Sequence, residues 1–182
     1  MGFPPEAVGA IVGTFLFLLH ATAFLKRDFS SKWLQKFPRS RAWGIALLLT
    51  ATTWAFFLVK KMDLGEFTHL RTLALASVVV AALLTWLFLE EFLAARSVGF
   101  LVLLSADPVL NSCIPWPQSY QLPLVVLIYI CVLCAIVWAS MPYLMRDQIA
   151  WLTASSWRWN LAAGVGIVVG CLILSCSFFL RV

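Results

Sequence analysis

Three sets of residues have the chemistry to do more than pack. Glu90 and Glu91 stand side by side, and Arg96 follows a few positions later. Asp107 and Asn111 form a second polar group, with Ser105, Pro108 and Ser112 beside them. Carboxylates and an amide inside an apolar region are the usual parts of an ion or proton path, because burying them is costly without a purpose. The structural alternatives are equally concrete. A turn at the membrane surface would leave Glu90, Glu91 and Arg96 near water, with Arg96 snorkelling or pairing with a carboxylate. Asp107 followed by Pro108 also reads as a helix N-cap followed by its first residue, one helix ending at Ala106 and a short one starting at Pro108.

The third set is the histidines. There are two, His20 and His69. On the topology argued below they fall on opposite sides of the membrane, which speaks against one haem held by both. His20 remains a candidate ligand to a pigment or haem, or a polar packing residue. Cys131 and Cys134 make a C-x-x-C on one helical face, but no matching second pair exists for zinc. Cys131, Ala135 and Ala139 form a row of small residues, so packing is the reading adopted. The sequence contains no G-x-S-x-G, H-E-x-x-H, P-loop or dinucleotide fingerprint.

These groups must be positioned by helices in lipid. Of 182 residues, 63% are hydrophobic and only 12% charged, and the mean hydropathy is +0.96. Soluble domains carry about 25% charged residues, so this chain lacks the polar surface to cover a globule in water. The expected fold is an all-α, polytopic helical membrane protein: one transmembrane domain over 1–182, with no soluble domain. Apolar runs at 7–25, 42–59, 72–89, 122–141 and 160–180 each approach the ~20 residues needed to cross a bilayer.

Residues 92–113 are ambiguous. A single helix from Thr72 to Ala106 would be about 52 Å long at ~1.5 Å per residue, too long for one crossing. The expectation is a bend near 90–96 and a sixth span, with five spans plus a re-entrant segment as the alternative. Residues 114–123, with three prolines, read as an extended loop. Residues 28–37 and 144–159 read as short amphipathic helices lying at the interface.

Six of the thirteen basic residues fall within 26–41, against one acid, Asp28. With six spans and the N-terminus outside, nine basic residues lie inside and four outside; with five spans the split is eight to five. The positive-inside rule therefore places the N-terminus outside and loop 26–42 in the cytoplasm. The same clustering makes the net charge of +5 a matter of orientation and anionic lipid rather than nucleic acid.

Gly9 and Gly13 in the first span, and Gly166 and Gly170 in the last expected span, are spaced for close helix packing, and Ala162 extends the second row. Whether they face each other or a partner chain is open at this level. The expected function is a non-catalytic integral membrane subunit, or an assembly component, of a larger membrane complex. A small transporter or channel subunit using the carboxylates is the first alternative. A membrane-embedded enzyme or cofactor-binding protein is the second. The expected partners are the lipid bilayer and other membrane subunits or further copies of the chain, without nucleic acid. Bound lipid is expected; a haem, pigment or metal is not.

Overall fold

Hydrocarbon offers no partner to a free backbone N–H or C=O, so an apolar run of this length must satisfy its own groups as a helix. The computed structural model, which describes residues 5–88 and 91–179, follows that rule. Eight α-helices succeed one another: α1 (Pro5–Leu25), α2 (Arg27–Lys36), α3 (Arg41–Lys61), α4 (Arg71–Phe88), α5 (Leu93–Cys113), α6 (Gln118–Ser140), α7 (Pro142–Thr153) and α8 (Ser156–Phe179). Short 3-10 segments at Phe37–Arg39 and Gly65–Leu70 lead into α3 and α4. No strand occurs among the described residues. Six helical stretches are long and apolar enough to cross a membrane: Ala7–Leu25, Arg41–Lys61, Gly65–Phe88, Leu93–Cys113, Gln118–Ser140 and Ser156–Phe179. The chain is a multi-pass, all-α membrane protein.

The ambiguous segment resolves as a long helix. After a turn at Glu91 and Phe92, α5 runs without interruption from Leu93 to Cys113. Phe92 takes the left-handed backbone conformation, φ 57°, which is strained for an L side chain. The cap reading of Asp107–Pro108 is overturned, because Pro108 lies inside α5. An N-cap carboxylate would accept from backbone N–H groups two or three residues on. Asp107 instead accepts from Asn111 Nδ2 at 3.0 Å, one helical turn away. Proline is tolerated in spans where neighbouring groups re-satisfy the freed carbonyl.

Two other boundaries differ from the sequence reading. The extended loop at 114–123 is only a turn, since α6 already begins at Gln118 and includes Pro123. The Pro117 carbonyl accepts from Tyr120 and Gln121 N–H and so starts that helix. The interfacial helix expected at 144–159 is shorter, α7 ending at Thr153, while Trp157, Arg158 and Trp159 form the first turn of α8. Aromatic and basic side chains tolerate the headgroup region, so a span can extend into it. The short helix expected over 28–37 is present as α2, which stops at Lys36 before Pro38, and the Ser40 hydroxyl caps α3 through the Trp43 N–H.

The chain falls into two compact units. Unit 1 takes residues up to Gln35, Ser105–Leu133 and the chain from Arg146 onward; unit 2 takes Lys36–Leu104 and Cys134–Met145. The core of unit 1 is Cys113, Trp116, Leu124, Ile128 and Ile173, with Val12, Leu16, Leu110 and Val169 packed on it. Unit 2 is held at one end by close backbone approach. A Cβ on Gly44 would lie 2.9 Å from Leu93 Cβ and 3.0 Å from Ala94 N. The buried Ser97 hydroxyl donates to the Gly44 carbonyl at 3.2 Å.

Candidate functional site

In unit 1, α1 and α8 pack along one another. Gly13 and Gly170 lie against one another. A Cβ on either would come within 3.1 Å of the other's carbonyl oxygen, and one on Gly170 within 2.8 Å of Phe17 N. A Cβ on Gly9 would collide with Ser177 Oγ and the Trp116 ring. At Gly166 the neighbour is His20, whose ring lies over the glycine so closely that any side chain there would displace it. The seam therefore joins all four singled-out glycines to one pair of helices.

His20 is thus wedged between α1 and α8. Its Nδ1 donates to the Leu16 carbonyl at 2.9 Å, one turn back. A carbonyl only accepts, so the proton on Nδ1 is fixed by this bond and a neutral ring keeps Nε2 as an acceptor.

Beside His20, unit 1 holds a cavity of about 300 Å³. Its walls are the last turns of α1, the first turns of α8 and Leu152 of α7, and α2 covers it with Phe29, Ser30, Trp33 and Leu34. Hydrogen bonds hold α2 at both ends. Arg27 Nη1 donates to Ser156 Oγ at 2.6 Å, and Gln35 Nε2 donates to Thr153 Oγ1 at 2.8 Å. The buried Trp159 closes one wall, its indole N–H donating to the Ala23 carbonyl at 3.0 Å. Ala23 lies in the last turn of α1, where carbonyls lack helical donors, so the tryptophan supplies what the helix end needs. Within the sequence, Trp159 reads only as the end of the amphipathic stretch 144–159, and this role is not visible. The bond spans 136 positions and leaves no local signal.

Unit 2 contains a second cavity of about 340 Å³, lined mainly by small or short side chains: Ala51, Thr52 and Ala55 of α3, Ala81, Ala82 and Thr85 of α4, with Phe100 and Leu103 of α5. The Thr52 and Thr85 hydroxyls donate to carbonyls of their own helices, those of Leu48 and Ala81. The lining therefore offers few free polar groups. No residue of α4 is buried.

The charged candidates are dispersed. Glu90 lies outside the described residues, and Glu91 is exposed. Arg96 is half-buried in unit 2 and donates through Nη1 to the Ala139 carbonyl at 2.8 Å. Ala139 sits in the last turn of α6, so the guanidinium satisfies a carbonyl left open by the end of that helix and meets the negative end of its dipole. Its Nε is buried without a hydrogen-bond partner among the described residues. Asp107 and Asn111 are exposed and bonded to each other in unit 1. His69 is exposed, its Nδ1 donating to the Glu66 carbonyl. All five cysteines are free thiols. Gly99, which the sequence analysis did not single out, approaches α6 so closely that a Cβ would lie 2.8 Å from the Ala135 carbonyl oxygen. Ala135 and Ala139 thus have a partner that their spacing alone did not name.

No family model, curated protein or solved structure matches this chain.

Proposed function

We propose that the chain is a non-catalytic integral membrane subunit, or assembly component, that packs against other membrane proteins or further copies of itself. The observation that carries this reading is the groove of unit 2. A whole span, α4, buries none of its residues, and a cavity lined by alanines and threonines lies beside it. Small side chains at a membrane helix surface favour close approach by another helix. Here they border space rather than a neighbour.

The charged groups are compatible with this reading. Arg96 serves a helix end, and Asp107 lies in an exposed pair with Asn111. Within unit 1 the glycine rows of α1 and α8 are used on one another, and the exposed span belongs to unit 2. Orientation follows the basic residues: the N-terminus outside and loop 26–42 in the cytoplasm.

The test is purification at native abundance in mild detergent, followed by mass measurement of the intact particle. A complex larger than one chain is expected, and Ala81→Leu, which fills the groove, should release the partner while the chain itself stays folded. A strictly monomeric wild-type particle would overturn the proposal.

A further inference from the structure

The unit 1 cavity points to a ligand of a different kind. We infer that it holds an acyl chain of an anionic glycerophospholipid, in the leaflet on the side of loop 26–41, with the headgroup phosphate at Lys26 and Arg27. This goes beyond the subunit reading and does not depend on it.

The wall of the cavity is apolar. Leu19, Ala23, Trp33, Leu152 and Trp159 border the space, which is large enough at about 300 Å³ to fall at the lower end of ligand sites. The cavity lies at the end of two spans, where α1 finishes and α8 begins, and it is covered by α2, which at ten residues is too short to be a span. An aqueous solute would find little to bond there, whereas a lipid tail enters such a space from the bilayer.

The polar part is the order of side chains along α2. The Ser30 N–H bonds to the Lys26 carbonyl, so Lys26 stands one turn before Ser30, and Arg27 one turn before Ser30 and two turns before Leu34. The face that lines the cavity with Phe29, Ser30, Trp33 and Leu34 therefore begins with two cations. Ser30 is half-buried and lines the wall, where its side chain can offer a hydroxyl to a glycerol ester. Lys26 is exposed and makes no ion pair among the described residues. Arg27 gives one N–H to Ser156 and has others available, since a guanidinium carries five donors. Asp28 is the only acid between residues 19 and 36. On α7, Asp147 is paired with Arg146 at 2.7 Å, so its charge is compensated. A phosphodiester meets a positive rim here, and a zwitterionic headgroup would gain less.

The experiment uses the full chain, delipidated in detergent and offered phosphatidylglycerol or phosphatidylcholine of identical acyl chains. Bound lipid is read by native mass spectrometry. Wild type should retain phosphatidylglycerol in preference to phosphatidylcholine. Lys26→Gln and Arg27→Gln should each weaken phosphatidylglycerol retention roughly fivefold, and together bring it to the phosphatidylcholine level. Thr22→Leu and Ala162→Leu, which narrow the cavity from α1 and α8, should lose both lipids; helical circular dichroism and monodisperse elution identify which of the two has folded. Equal retention of the two lipids by wild type would overturn the proposal, as would undiminished phosphatidylglycerol binding by a folded narrowed variant. So would full displacement by glycerol 3-phosphate, which carries the anion without a chain.

Discussion

Between α1 and α8 the small residues face backbone; between α3, α4 and α5 they face space. Gly13 and Gly170 approach each other's carbonyls, and His20 fills what Gly166 leaves open. Ala51, Ala55, Ala81 and Ala82 instead border a cavity, although α3 and α5 meet closely at Gly44 only two turns earlier. A glycine row allows close approach but does not supply it. Contact forms where the facing helix is also flat or carries one side chain shaped to the gap, as His20 is. Where the facing residues are alanines and threonines that do not reach across, the same composition leaves a recess.

This contrast is open to direct attack. Gly170→Leu should have the largest effect, because the atom in the way is the Phe17 backbone nitrogen and cannot rotate aside. A loss of about 3 kcal/mol or more is expected from overpacking of this kind, read as a lowered unfolding midpoint and a heterogeneous elution profile in detergent. Next comes Arg96→Met, which leaves the half-buried Ala139 carbonyl without its charged donor; about 1–3 kcal/mol is expected for losing a hydrogen bond to a charged group, and an unchanged midpoint would remove the helix-end role. Trp159→Phe keeps the ring and deletes the N–H to Ala23. Interhelical hydrogen bonds in membranes average about 0.6 kcal/mol, so a small but measurable shift should appear in the same assay. Ala81→Leu should alter stability by no more than about 0.5 kcal/mol, since it fills space rather than displacing backbone. If Ala81→Leu destabilises as much as Gly170→Leu, the two seams are equivalent and the contrast fails. Smallest of all is Asp107→Asn: its exposed bond with Asn111 is worth about 0.2–0.5 kcal/mol, and a liposome flux assay should show no difference from wild type. A change in flux would place the carboxylate in a conduction path and favour the transporter alternative.

Much of the fold could be read before any coordinates, for a physical reason. In lipid the backbone must be helical and its length must match the bilayer, so composition alone locates spans. The ends of α1 and α3 fall within a few residues of the expected positions. What failed was punctuation. Pro108 and Pro123 were given the breaking power they have in water, yet both lie inside helices. Trp157 to Trp159 were assigned to the surface helix because tryptophan favours the interface, whereas they begin α8. The glycines were legible as packing residues, but their partner was not, since spacing describes one helix and contact requires two. The cavity beneath α2 is hidden for the same reason: its walls come from four helices, and the sequence marks only the amphipathic stretch 28–37.

The seam between α1 and α8 also has a temporal meaning. About 130 residues separate the end of α1 from the start of α8. At ~5–20 residues per second of synthesis, α1 waits roughly 7–26 s for the helix it clasps. During that interval its glycine face and the Trp159-binding carbonyl of Ala23 stand uncovered in the membrane. A nascent or interrupted chain without α8 therefore displays a surface that the finished chain hides, which is the kind of difference a membrane insertase or a quality-control protease is able to read.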